Sequence, residues 1–213
     1  MPVVDFGPIE VHYDETVLPP RPWTIAQSRW AAELATGPML ELGCGAGHIG
    51  LAAAVLSGQG LVQVDTSPVA CAWAGANAGR AGRGDQVRQR LGRPEDVLGD
   101  DERFSVVIAD PPYVSSDEVQ NHPEDPDAAI DGGADGLGLV RRFVAVGAAH
   151  LGPGGSIVLQ LGGPQQVEAT GRWVRAAALG VRMAETRVLR EDRALVRLTA
   201  KDGRRWRRRT RWS

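Results

Sequence analysis

The residues best placed to do chemistry are Asp110-Pro111-Pro112-Tyr113, which follow the apolar run Val106-Val107-Ile108-Ala109. That run reads as a buried strand, and the two prolines end it at once. An acid, a rigid proline pair and an aromatic ring are thus presented at the C-terminal end of a strand, where open α/β sheets bind ligands. A planar NH2 group attacks a methyl carbon poorly, because its lone pair is delocalised. Two acceptors aimed at its N–H bonds would turn that lone pair towards an electrophile. The Asp110 carboxylate and the Pro111 carbonyl are the candidate acceptors, Pro112 stiffens the backbone, and Tyr113 can stack on the plane. These residue types suit methyl transfer to nitrogen. The plainer alternative is a rigid turn after a strand.

A second cluster, Glu41-Leu42-Gly43-Cys44-Gly45-Ala46-Gly47, lies at the end of another predicted strand. Glycines at 43, 45 and 47 allow a tight turn and close approach of a ligand to the backbone. Asp65 follows Gly45 by twenty residues, with Thr66 beside it, at the tip of the next strand. A carboxylate there can accept hydrogen bonds from ribose hydroxyls. Residues 45–50 also satisfy GxGxxG, so a dinucleotide stays open, as does a turn with no ligand. Two features favour S-adenosylmethionine (SAM). Glu41 before the glycines suits a cationic cofactor, and hydride transfer has no evident use for Asp-Pro-Pro-Tyr.

The elements that must position these clusters alternate. Strands are predicted at 38–42, 61–65, 86–91, 105–109 and 156–161, and helices at 48–57, 67–79, 136–150 and 165–179. Residues 114–134 read as a loop, and 181–189 with 194–199 as a hairpin turning at Glu191-Asp192. The pattern predicts an α/β fold with a doubly wound, mostly parallel sheet and a C-terminal antiparallel hairpin. Three regions are expected: an N-terminal extension near the site (1–36), a catalytic domain (37–200) and a basic tail (201–213).

With 213 residues, 43% of them apolar, and a mean hydropathy of −0.19, one globular domain of ordinary size is expected. No apolar run reaches membrane-spanning length and no leader pattern opens the chain, so a cytoplasmic location is the default. Cys44 and Cys71 form no CxxC pair, and His12, His122 and His150 share no ligand spacing, so no metal is expected. Cys44 reads as a small loop residue and Cys71 as helix packing. His48 is expected near the cofactor. Asp117, Glu118, Glu124, Asp125 and Asp127 read as solvated charges, with a lid as the alternative. The formal net charge is −2, yet residues 201–213 hold Lys201 and six arginines against Asp202. Arginines interleaved with Trp206 and Trp212 suit RNA contact, the plainer reading being a solvated end.

With both motifs in place, residues 12–166 resemble class I SAM-dependent methyltransferases of the HemK/PrmC type, which methylate a glutamine amide in release factors. Pro20-Arg21-Pro22-Trp23-Thr24 is similar to the family's pre-domain segment, and residues 41–47 to its first motif. Asp110-Pro111-Pro112-Tyr113 resembles its Asn-Pro-Pro-Tyr, and residues 129–137 resemble a loop that its members carry. The resemblance implies a seven-stranded sheet, SAM as donor, Asp65 on the ribose, Glu95 or Asp96 near the adenine, and a release factor or similar protein as substrate. Four departures stand out. Glu41 stands where the family's first motif often begins with Asp, a mild change. Asp110 replaces Asn, as is usual in enzymes that methylate amino groups of nucleic-acid bases. Trp23 stands where relatives often have Glu. Only 37 residues precede the first strand, where bacterial relatives carry a helical substrate domain. Methylation of an rRNA or DNA base amine, or of a small-molecule amide or amine, is therefore the alternative activity. A non-catalytic SAM- or RNA-binding module is the alternative from another class.

Overall fold

The computed structural model describes residues 1–121, 123, 125 and 127–201. A hairpin of β1 (Val3–Phe6) and β2 (Ile9–His12) comes first, then a 3-10 turn at Pro22–Thr24 and helix α1 (Ile25–Leu34). The alternating body follows: β3 (Met39–Leu42), α2 (His48–Ser57), β4 (Leu61–Asp65), α3 (Pro68–Arg80), β5 (Val87–Leu91), α4 (Pro94–Val97) and β6 (Phe104–Ala109). Beyond it lie α5 (Asp127–Ile130), α6 (Gly138–His150), β7 (Leu151–Leu161), α7 (Pro164–Ala176), β8 (Val181–Arg190) and β9 (Arg193–Ala200).

Seven strands form one sheet in the order β5-β4-β3-β6-β7-β9-β8. Strands β3 to β7 are parallel, and β9 runs antiparallel to both β7 and β8. From β3 the chain winds outward to β4 and β5, then returns to β6 on the other side. The reversal lies between β3 and β6, whose register pairs Leu42 with Ala109. Crossovers there diverge and leave a crevice beyond the strand ends, which is where such sheets take ligands.

Each face of the sheet is covered. On one side Val140, Phe143 and Val144 of α6 and Val174 of α7 pack on Leu40, Leu42, Val107 and Leu159. On the other, Trp30 and Ala31 of α1 and the Leu51–Ala54 stretch of α2 pack on Met39, Val106, Ile108 and Val158. The alanines let α2 lie close to the sheet. Helix α3 starts where Ser67 Oγ accepts the Ala70 N–H at 3.2 Å and Pro68 occupies the first turn.

Four features differ from the expected elements. The first 36 residues hold a hairpin and a helix, and Phe6, Ile9, Val11, Val17 and Trp30 join the core. Strands of four residues turning at Gly7 (φ +60°) carry too short an alternation to stand out in the sequence. Residues 114–134 are not a plain loop. Val119–Asn121 forms a 3-10 turn, α5 follows, and Val114 bridges Asp131. Val114 N–H donates to Ile130 O and Gly132 N–H to Val114 O, so this backbone pairs internally. Strand β7 begins at Leu151 rather than 156: Leu151 pairs with Phe104, and the register shifts before Ser156 pairs with Val106. Helix α7 stops at Ala176, short of 179. No helix among the described residues is long and apolar enough to cross a membrane. Of the basic tail only Lys201 is described; residues 202–213, like His122 and Glu124 of the acidic loop, lie outside the described residues.

Candidate active site

The glycine turn leaves β3 and enters α2. Gly43, Gly45 and Gly47 all have positive φ, at +69°, +52° and +78°. A Cβ at Gly47 would lie 2.7 Å from Gln63 Nε2 and 2.8 Å from Ala74 Cβ, so the turn is packed from below. At Gly45 nothing lies within 4 Å of that position, so this side of the turn faces open space. Gly45 N–H donates to Asp65 Oδ2 at 2.9 Å, and Ser67 N–H to Asp65 Oδ1 at 2.9 Å. The tips of β3 and β4 are thereby joined through one carboxylate, with exposed Thr66 next to it.

Glu41 sits beneath the turn. Its Oε1 accepts Gly50 N–H at 2.9 Å and its Oε2 accepts Gln63 Nε2–H at 2.7 Å. A Cβ at Gly50 would stand 2.4 Å from Oε2. Burial pushes the Glu41 carboxyl up to about 7 against these two hydrogen bonds, and the charges of Asp65 and Asp110 push the same way. Its oxygens are thus engaged inside the protein, and it can reach the crevice only as charge.

At the end of β6, Asp110 has an enclosed carboxyl that burial pushes up to about 7, with the Gln160 side-chain amide as its hydrogen-bond donor. Among the described residues none donates to the Pro111 carbonyl. Gln166 Nε2–H donates to Tyr113 O at 2.8 Å, and Gln166 Oε1 accepts Gly162 N–H at 2.8 Å. Gly162 is needed here, since its Cβ would lie 2.9 Å from Tyr113 Cδ2. Burial pushes the Tyr113 hydroxyl up to about 12, and the Asp110 charge adds to it. Gly136 meets the same backbone: its φ is +65°, and a Cβ would be 2.4 Å from Tyr113 O. The segment 129–137 therefore packs on Asp-Pro-Pro-Tyr.

A cavity of about 440 Å³ opens over this motif, walled by Trp23, Asp110, Tyr113, Gln160 and Arg193, with Arg21 at its edge. The Arg193 guanidinium lies over the Trp23 ring at 3.9 Å, and Arg21 is 5.9 Å from that ring. Arg193 pairs with Asp192, and Arg21 Nη2 with Asp125 Oδ2 at 2.7 Å. Asp125 of the acidic loop is thereby committed to an ion pair. From α1, Gln27 Nε2–H donates to Ala109 O at 2.8 Å and Val158 O at 3.1 Å, fastening α1 to the strand end just before Asp110.

The other expected residues fall as follows. Glu95, exposed on α4, pairs with Arg142 through Nε at 2.6 Å and Nη2 at 2.7 Å, and that contact lowers its carboxyl. Asp96 beside it is exposed. His48 turns away from the crevice, edge-on to Phe6 at 4.8 Å, and burial lowers it to about 4. Cys44 is buried in the turn, its thiol donating to Gly45 O at 3.8 Å, and its interaction with the Cys71 thiol on α3 raises Cys44 and lowers Cys71.

Gln27, Gln160, Gln166 and Arg193 were not singled out from the sequence. The available signal was polarity out of place: Gln160 interrupts the apolar run Ile157-Val158-Leu159, and Arg193 opens a strand.

The methyltransferase small domain family matches residues 28–124. A release factor glutamine methyltransferase of Gloeobacter violaceus is 36% identical over 163 residues, covering 72% of this chain and 57% of the relative. A ribosomal protein uL3 glutamine methyltransferase of Bradyrhizobium diazoefficiens is 33% identical over 129 residues, covering 58% and 40%. The chain thus spans about half the length of the curated relatives it matches. Among solved structures, the hMettl16 catalytic domain bound to a MAT2A 3'UTR hairpin superposes with a TM-score of 0.74 at 14% identity, covering 94% of this chain and 77% of that one. That likeness shows the fold, a Rossmann-like class I methyltransferase sheet. Residues 28–124 thus match the methyltransferase small domain family, and 72% of the chain is similar to a release factor glutamine methyltransferase.

Proposed function

We propose that the chain transfers a methyl group from SAM to the side-chain amide of a protein glutamine. The observation that carries this reading is the adjacency of the two motifs across the β3–β6 reversal, where Leu42 and Ala109 are register partners. The names of the relatives support glutamine as the acceptor.

SAM fits the residues present. Gly45 leaves its side of the turn clear, Asp65 stands at the mouth, and Glu41 and Asp110 are carboxyls with no basic partner among the described residues. When bound, SAM supplies an electrophilic methyl carbon on a sulfonium. Residues 43–47 and Asp65 with Thr66 would hold it, Asp65 accepting from ribose hydroxyls. Glu95 and Asp96 on α4 are the candidates at the adenine end. A nearby cation would favour the ionised forms of Glu41 and Asp110. The Asp110 carboxylate and the unengaged Pro111 carbonyl would accept the two amide N–H bonds, turning the nitrogen lone pair out of conjugation. Pro112 and the Gln166 contact to Tyr113 O hold these acceptors in place beforehand, and such preorganised polar groups are where enzymes gain most. Tyr113 stacks on the amide plane. Once the nitrogen is alkylated, the Asp110 carboxylate takes its extra proton.

We read the first 36 residues as a wall of the acceptor cavity, through Arg21 and Trp23, and residues 37–200 as the catalytic body. A cytoplasmic site of action follows from an acceptor that works in translation. The second reading, a nucleic-acid base amine, rests on Asp110 in place of Asn and on the arginines of the tail. Purified protein incubated with tritiated SAM and separate protein, RNA and small-molecule fractions tests the choice. Label in protein, mapped to glutamine by mass spectrometry, supports the reading. Label confined to RNA overturns it.

A further inference from the structure

We infer that Gln27 of α1 is a positioning residue for methyl transfer, orienting Asp110 from outside the acceptor motif; the assignment rests on the role proposed for Asp110 above. Gln27 is fully buried, and its Nε2 donates to Ala109 O at 2.8 Å and to Val158 O at 3.1 Å. Ala109 O belongs to the peptide unit that ends at the Asp110 nitrogen. A peptide unit is planar, so holding its oxygen fixes the direction in which the chain enters Asp110. Val158 O lies on β7 two residues before Gln160, and Leu159 is the register partner of Ala109. One side-chain amide thus clasps two strand ends, and the residues that follow them, Asp110 and Gln160, are hydrogen-bonded to each other.

Filling space does not require an amide at this position. Gln27 Oε1 has no hydrogen-bond partner among the described residues, a cost that an apolar side chain would avoid. What the amide brings is its two N–H bonds, and both go to strand ends at the acceptor motif. The helix that carries it is itself held. Ser28 Oγ–H donates to Ile49 O at 2.8 Å, in the first turn of α2, directly after the glycine turn. Gln27 and Ser28 therefore tie one helix to the acceptor side and the donor side of the crevice. Transfer needs the acceptor oxygens aligned with the attacking nitrogen, and a misplacement of about 1 Å can cost about a hundredfold in rate. Gln27 is assigned to neither binding site, so its loss acts on the transfer step and not on the affinities.

Gln27→Met keeps the length of the side chain and deletes both donors. The full chain is assayed by steady-state kinetics with tritiated SAM and the acceptor that wild type labels. Calorimetry counts the molecules that bind SAM, so that kcat refers to folded protein only. In Gln27→Met, kcat is expected to fall by about tenfold or more, with KM for the acceptor and SAM affinity within about twofold of wild type. A residue that serves stability alone would lower Tm and the SAM-binding fraction and leave kcat per binding molecule unchanged, and that result would overturn the inference. Gln27→Asn is the milder second variant: its amide is one methylene short of the two carbonyls, and the same split between kcat and KM is expected. Loss of folding in both variants would assign Gln27 to stability and overturn the inference too. A wild type that labels RNA and no protein overturns the glutamine reading alone, and the variants are then judged by kcat on that RNA.

Discussion

Gly45 donates its backbone N–H to Asp65 Oδ2 at 2.9 Å, so the turn after β3 and the tip of β4 share one carboxylate. The other oxygen holds Ser67 N–H at the start of α3. Asp65 therefore shapes the turn, besides its proposed place in the donor site. Asp65→Ala is expected to weaken SAM binding by at least tenfold, since hydrogen bonds to a charged group are worth about 1.5–3 kcal/mol. Calorimetry with SAM measures it, and circular dichroism checks that the fold survives. Equal affinity in both proteins would remove Asp65 from the donor site.

The proposed role of Asp110 gives methyl transfer a pH dependence. Burial pushes its carboxyl up to about 7, so below that pH the protonated form predominates and loses acceptor capacity. Activity is expected to rise as pH increases through about 7, and Asp110→Asn, which cannot ionise, to lack that inflection. Stability moves the other way. The folded state holds the proton between the ordinary value of 3.8 and about 7, so wild type loses stability relative to Asp110→Asn as pH rises across that window. Denaturant unfolding at pH 5 and pH 8 checks the sign.

Two glycines of similar appearance should respond in opposite ways. Gly50→Ala places a methyl 2.4 Å from the buried Glu41 Oε2, and overpacking of this kind costs about 1–3 kcal/mol. At about 2–4 °C per kcal/mol, Tm is expected to fall by roughly 2–12 °C. Gly79 lies in α3 with nothing within 4 Å of its Cβ position. Gly79→Ala is expected to gain about 0.4–1 kcal/mol from reduced chain entropy in the unfolded state. Thermal melts of both variants decide.

The two thiols should differ in reactivity although each shifts the other. The Cys71 thiol is lowered by its interaction with Cys44 and is half-buried, whereas Cys44 is raised by the same interaction and enclosed. Iodoacetamide at neutral pH is expected to label Cys71 first, with Cys44 modified only on unfolding, read by peptide mass spectrometry. Prior labelling of Cys44 would contradict the packing of the turn.

The parts of this architecture legible in the sequence were those written in local pattern. Runs such as Leu40–Leu42, Val62–Val64 and Val106–Ala109 have one stable home, a strand covered on both faces, and their spacing with Ala-rich helices dictates a parallel sheet. Asp-Pro-Pro-Tyr and the glycine turn were legible because proline and glycine constrain the backbone wherever they stand. The cavity wall was not. Trp23, Gln160 and Arg193 come from three distant segments, and only tertiary folding lays a guanidinium on the indole. Glu41 showed the opposite failure: position suggested a carboxylate facing the cofactor, whereas Gly50 and Gln63 claim both of its oxygens.

Leu42 and Ala109 stand opposite each other on hydrogen-bonded neighbours, so the chain leaves the sheet towards the glycine turn and towards Asp-Pro-Pro-Tyr from points about 4.8 Å apart. The separation is a lattice constant of β structure and owes nothing to a hinge. Mutational drift in the surrounding loops can therefore remodel the cavity wall while leaving untouched the spacing from which the two motifs set out.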